Sequence, residues 1–338
     1  MYEKVRTVSL KGSVDPQVKN LQVVSFDSDW KEVYIGASKK DSFTAVCPNN
    51  IPQCAEVSVR YVCKNKENAR ISCSKWCPME NCTILVLGSQ FGIQILDWDG
   101  GNLVYEYDFE EQGLPPDELQ ILGVHARGVA AVGTSLLAVG LHTGDILVLS
   151  IELQGESYLC NIVEKLRGHL SYITDLASSS TTNGRVLASG DSAGTICIWK
   201  EEGGSLHLQD KLADWVGFPI NTLSIWNRYK EGLIIAGYGS GHIRMFNIET
   251  GNIVCELTAH SGWITGMDLA SGSGLLLTCS EDSYVRVWQL ALKGPLVEHR
   301  YSQPIHDSLL TGAKFLDPNG SVFCVSVYDS TEVPIYQM

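Results

Sequence analysis

The chain has 338 residues, 44% of them apolar, and carries a formal net charge of −13. That is ample apolar material for a core, and closed all-β architectures often reach this length as one unit. The acid excess argues against a nucleic-acid binder, which would present a basic face.

The first residues, MYEKVRTVSL, contain no apolar leader, so no secretory route is expected. A cytoplasmic setting with reduced thiols at the eleven cysteines follows as an expectation, including a cytoskeletal or ciliary one. Val5–Leu10 reads as a lone strand. Strands are then predicted at Leu21–Phe26, Glu32–Ile35, Phe43–Val46 and Ala55–Val62, which together make one four-stranded unit. Further four-stranded units are predicted over 71–107, 129–166, 173–211, 220–257 and 264–300, and three strands follow residue 311. The longest apolar stretch, 128–151, is broken by Gly133-Thr134-Ser135 and by His142-Thr143-Gly144-Asp145. It reads as two strands and a turn. A membrane helix needs about 20 uninterrupted apolar residues, so no membrane insertion is expected.

These units share a turn. Gly88 to Gly92, Gly140 to Gly144, Gly190 to Gly194 and Gly237 to Gly241 each bracket three residues between two apolar strands. A fifth copy runs from Cys279 to Ser283, and weaker ones begin at Gly36 and Val327. A tight hairpin needs positive φ at one position, which Gly supplies without a Cβ clash. The strands that follow alternate with period two: Ile196 and Ile198, Ile243 and Met245, Val285 and Val287. Successive turns are 42 to 52 residues apart, the period of a propeller with four strands per blade. The expectation is an all-β, single seven-bladed β-propeller over residues 1–338. Its ring closes when the N-terminal strand 5–10 completes blade seven, which leaves no free sheet edge there.

One repeat is specific. LTCSEDSYVRVWQL at 277–290, with Ala259-His260 upstream, resembles the signature of the WD-repeat family. The resemblance implies a structural tetrad of His260, Ser280, Asp282 and Trp288, hydrogen-bonded in series. Blade four carries His169 and Trp199, but Ala193 stands where the acid is expected, so a partial tetrad is predicted there. LIIAGYGSGHI (233–243), AHSGWITGMDLASGSG (259–274) and TGAKFLDPNGS (311–321), with weaker likeness in LVLGSQFGIQ (85–94) and SLKGS (9–13), are similar to one branch of that family.

Chemistry is sparse. Cys73 and Cys77 have a zinc-like spacing, but on a strand they would lie about 13 Å apart, too far to share one ion. Gly237, Gly239 and Gly241 run from strand to strand, whereas a phosphate loop must enter a helix. No catalytic, cofactor or metal site is predicted. Two inserts, 47–75 with Lys64, Lys66, Arg70 and Lys75, and 108–118 with Asp108, Glu110, Glu111, Asp117 and Glu118, read first as solvated charge, with a functional loop as the alternative for each.

What remains is a surface. Lead-in loops and tight turns share one propeller face. Phe91, His142, Tyr172, Trp215, Phe218, Tyr238, Trp263 and Tyr328 are the candidate partner-binding residues on it, because aromatics on exposed turns often anchor interfaces. The expected function is a non-enzymatic scaffold or adaptor that docks other proteins. A permanent subunit of a large cytoskeletal or ciliary assembly is the alternative, and an enzyme using the central channel is a third reading, for which the sequence shows no converging titratable groups.

Overall fold

The computed structural model describes residues 1–26, 32–48, 56–61, 69–111, 125–155, 157–213, 217–229, 232–293 and 296–338. No helix occurs among them. The strands form seven four-stranded antiparallel sheets, a seven-bladed β-propeller. Six blades use consecutive strands. Blade one begins at Gln22–Ser25, blade two at Ile71–Pro78 and blade three at Ala126–Val132. Blades four to six begin at Ile173–Thr181, Ile220–Trp226 and Ile264–Ala270, and blade seven at Leu310–Phe315. These seven innermost strands contact one another in sequence around the ring, and the strand of blade seven also meets that of blade one.

Burial follows position in the blade. Each middle strand has a neighbouring blade on both faces, so it reads as a continuous apolar run. Gly184–Asp191 and Leu275–Ser280 are buried almost throughout. Outer strands such as Ser157–Arg167 are mostly exposed or half-buried, with Leu166 the buried residue of this one.

The last sheet takes its outer strand from the start of the chain. Glu3–Ser9 pairs antiparallel with Glu332–Gln337, from Glu3 opposite Gln337 to Ser9 opposite Glu332. A bulge at Lys4/Arg6 interrupts the register. Tyr2 extends the clamp: its ring packs 5.2 Å from Tyr301 and 4.9 Å from Phe323. The Tyr301 hydroxyl donates to the Tyr2 carbonyl at 2.8 Å, so the first residues hold blades six and seven together. The strand expected at 5–10 thus runs over 3–9.

Every central hairpin has one residue at positive φ. These are Lys40, Gly92, Gly144, Gly194, Gly241, Ser283 and Asp329. In six blades it follows the sequence anchor by four residues. In blade seven it does so only from Val325, so the anchor expected at Val327 is two residues late. Gly241 is required twice over. Its φ is +81°, and a Cβ there would stand 2.1 Å from the carbonyl oxygen of His260. The lead-in loop of the next blade lies directly on this turn, and both Ala259 and His260 donate their N–H groups to the Gly241 carbonyl at 3.0 Å.

Candidate functional site: loop face and channel

The loop face is fixed by polar chains inside two blades. In blade four, Trp199 Nε1 donates to Ser189 Oγ (2.9 Å), Ser189 Oγ meets His169 Nε2 (2.7 Å), and His169 Nδ1 meets Asp191 Oδ2 (2.8 Å). An indole N–H only donates and a carboxylate only accepts. With a neutral imidazole protonated at Nδ1, every hydrogen in the chain therefore runs one way, from Trp199 to Asp191. Asp191 Oδ1 also accepts the N–H groups of Ala193 (3.0 Å) and Thr195 (2.8 Å), which closes the turn. The tetrad predicted to be partial is complete. Its acid is Asp191, on the strand end, and not a residue at position 193.

Blade six has the same chain with a different acid position. Trp288 Nε1 donates to Thr278 Oγ1 (3.0 Å), Thr278 Oγ1 meets His260 Nε2 (2.9 Å), and His260 Nδ1 lies 3.0 Å from both oxygens of Asp282. The hydroxyl is that of Thr278, which corrects the expectation of Ser280. Ser280 Oγ instead accepts the Asp282 N–H at 3.1 Å and so holds the acid's own backbone. Arg286 Nη1 donates to Asp282 Oδ2 (3.0 Å) and crowds His260 Nδ1 at 2.5 Å. Burial lowers the His260 pKa below the usual imidazole range, against the pull of Asp282. Burial alone would raise the Asp282 carboxyl, but His260, the Ser261 N–H and Arg286 outweigh it and hold the group well below the ordinary carboxylate range.

The equivalent positions in blade five are Ala236, Tyr238 and Phe246, all buried. Packing replaces the polar chain there. Tyr238 was expected on the exposed face, as was Phe91. Both are buried, because a turn side chain points back into the gap between blades when the next lead-in loop covers it. His142 is half-buried, with its ring 5.4 Å from Phe109. Trp215 lies outside the described residues, as do Lys64, Lys66, Asp117 and Glu118.

Four of the predicted residues are exposed on the loop face: Tyr172, Phe218, Trp263 and Tyr328. Tyr172 and Trp263 hold equivalent positions. The Tyr172 carbonyl accepts the Ser192 N–H and the Trp263 carbonyl accepts the Glu281 N–H, each at 3.1 Å, while Pro219 takes the same place in blade five with Gly239. Tyr172 is 41% exposed and Trp263 46%. Each also touches a neighbour: the Tyr172 ring lies 5.1 Å from that of His125, and the Trp263 indole stands over Gly239. Sequence reading missed Leu170, which is 95% exposed beside His169. Its only signal is an apolar residue directly after a repeat histidine.

Tyr172, Pro219 and Trp263 line the mouth of a central cavity of about 120 Å³. Deeper in it lie Lys19, Lys75, Arg127, Asp175 and Lys314. Asp268 lines the opposite half of the channel together with the same three lysines. Titratable groups therefore do converge here, contrary to expectation. Lys19 pairs with Asp175 at 2.6 Å and Lys314 with Asp268 at 2.8 Å. The segment 17–20 crosses the channel. The Lys19 N–H donates to the Thr265 carbonyl (2.7 Å) and the Asn20 N–H to the Thr311 carbonyl (3.1 Å), while the Gln17 amide donates to the Ile71 carbonyl.

Cys73 and Cys77 both lie on the strand Ile71–Pro78, and burial pushes each thiol up to about 11. Thiols held in that range are poor nucleophiles. No helix among the described residues is long and apolar enough to cross a membrane.

The comparisons agree with this architecture. A solved chain from a structure of the mitotic checkpoint complex superposes with a TM-score of 0.74, covering 99% of this chain and 95% of the other. At 14% identity that likeness shows the fold alone. WD repeat-containing protein 54 of Homo sapiens and WD repeat domain 54 of Rattus norvegicus are each 30% identical to this chain, over 98% of both sequences. The WDR54 family matches residues 1–337, so the chain belongs to that family of WD-repeat proteins.

Proposed function

We propose that this protein is a non-enzymatic scaffold that docks partner proteins on its loop face. WD-repeat propellers generally mediate protein–protein interaction and are generally non-catalytic. The observation that carries the reading here is the exposure of Tyr172 and Trp263 at one channel mouth. Leu170, Phe218 and Tyr328 add apolar surface on the same face. Such a group of anchors suits a hot spot. A cytoplasmic setting belongs to the same proposal, and the free thiols of the described residues support it.

The test is the double variant Tyr172→Ala/Trp263→Ala in cells, read by affinity purification and mass spectrometry. Neither side chain joins a tetrad, so the ring should stay folded. Losing an aromatic anchor costs about 2 kcal/mol or more in binding, so the main partners should disappear. A folded double variant with an unchanged partner list would overturn the proposal.

A further inference from the structure

The charge of the channel is opposite to that of the chain. The protein carries −13 overall, yet among the described residues the channel is lined by Lys19, Lys75, Arg127 and Lys314 against Asp175 and Asp268. Both carboxylates are already engaged. Asp175 Oδ2 accepts from Lys19 Nζ and from the Leu223 N–H, each at 2.6 Å. Asp268 accepts from Lys314 Nζ at 2.8 Å and from the Phe315 N–H at 2.9 Å.

That leaves Lys75 and Arg127 with no carboxylate in ion-pair contact among the described residues, although Asp175 lies in the same cavity. The Lys75 ammonium donates to one acceptor, the Val129 carbonyl, at 2.6 Å. Val129 and Arg127 belong to the same inner strand of blade three, so the two spare cations face one stretch of channel wall. Burial pushes the Lys75 amine below its ordinary range; Cys77 and Asp175 oppose this, while Lys19 and Lys314 add to it. A bound anion would relieve that strain directly. The cavity is small and flanked by polar Gln17, Asn20 and Asn221, and its mouth is framed by Tyr172 and Trp263. It suits one anionic side chain delivered by a segment lying on the loop face.

We propose that the partner segment docked between Tyr172 and Trp263 inserts an anionic side chain, a carboxylate or a phosphoryl group, which Lys75 and Arg127 hold. This rests on the docking reading above. Charge-assisted hydrogen bonds to two cations supply the specificity, and the net negative charge of the chain disfavours anions that do not reach the channel.

The test uses the full chain and immobilised degenerate peptide pools whose central residue is phosphoserine, Glu, Gln or Lys. The wild type should retain the phosphoserine or Glu pool about tenfold better than the Gln pool, the size expected of a charge-assisted bond. Whichever of the two acidic pools is held more tightly identifies the anion. Lys75→Gln and Arg127→Gln, with melting temperatures checked, should bring acidic pools down to the Gln level, and Lys75→Arg should restore them. Equal retention of acidic and Gln pools, lost in Tyr172→Ala/Trp263→Ala, would overturn the anion site and leave docking intact. Acidic pools held equally by folded Lys75→Gln and Arg127→Gln chains would also overturn it. So would a wild type that retains no pool, and docking is then decided by the partner recovery described above.

Discussion

Blades six and seven are neighbours built on different principles. Blade six is made of consecutive strands tied from within by the chain from Trp288 through Thr278 and His260 to Asp282. Blade seven has no such chain. Its outer strand is Glu3–Ser9, separated from its partner by almost the whole sequence. One blade is held by local polar bonds, the other by closure of the ring. A defect in the first should therefore remain a local loss, whereas a defect in the second removes an entire edge strand and the link between the two ends of the molecule. The largest expected effect follows. Deleting residues 1–9 exposes the edge of Glu332–Gln337 and removes the Tyr2 packing against Tyr301 and Phe323. Soluble folded protein should be lost, or its melting temperature should drop further than for any tetrad variant. A truncated chain that melts with the wild type would show that closure does not stabilise blade seven.

A second contrast lies within the wired blades. Asp191 and Asp282 do the same work from different backbone positions. Asp191 is almost wholly buried, whereas Asp282 shares its site with the partly exposed Arg286. Asp191→Ala leaves the His169 Nδ1–H and two turn N–H groups without an acceptor, an expected cost of about 3 kcal/mol. Asp282→Ala should cost about 2 kcal/mol, because water reaches its neighbours more easily. Denaturant midpoints decide the order, and the reverse order would mean that Arg286 makes blade six the more dependent of the two. Blade six should also be acid-sensitive. The folded His260 pKa is depressed, so the unfolded chain binds the proton first as pH falls. Stability is then lost as pH drops from about 6.5, the unfolded imidazole value, toward the lower folded value. Asp282, also depressed, adds a loss in the same direction at still lower pH. Half-buried His142 contributes with the same sign, so the measurement is the slope of midpoint against pH between 7 and 5. That slope should be shallower in His260→Gln than in the wild type. Equal slopes would remove His260 as its source.

The sequence made the fold legible because turns repeat where side chains do not. Gly at the fourth turn position recurs for a backbone reason, positive φ under the next lead-in loop, and that reason survives when the side chains of the blade diverge. Blades one and six keep their register from Gly36 and from the WD-repeat signature even with Lys40 and Ser283 at that position, whereas the turn of blade seven, with Val325 first and Asp329 at positive φ, has no such marker and its expected anchor falls two residues late. The tetrads were half legible. His and Trp are rare and conspicuous, but a carboxylate can reach the same imidazole from position 191 or 282, and hydroxyls stand on both sides of Cys279, at Thr278 and Ser280, with nothing in the sequence to tell them apart. The channel was not legible at all. Lys19, Lys75, Arg127, Asp175, Asp268 and Lys314 come from six different segments, and each alone looks like an ordinary surface charge in sequence.

The smallest expected effect separates the two hydroxyls of blade six. Thr278 and Ser280 are both fully buried, two residues apart on one strand, so they point to the same face. Their work differs. Thr278 Oγ1 is the junction of the chain, meeting both Trp288 Nε1 and His260 Nε2. Thr278→Val keeps the volume but leaves two buried polar groups unpaired, an expected cost of about 2–3 kcal/mol. Ser280 Oγ accepts a single N–H, that of Asp282, near the turn surface. Water can replace that bond after a small shift, so Ser280→Ala should cost only about 0.5–1 kcal/mol. In the double variant Thr278→Val/Asp282→Ala the losses should be less than additive, because His260 has then lost both partners and can turn away as one unit. Ser280→Ala, acting on the turn backbone, should add fully to Thr278→Val. If Ser280→Ala proves the costlier single change, the polar chain of blade six runs through Ser280, and its parallel with Ser189 in blade four is lost.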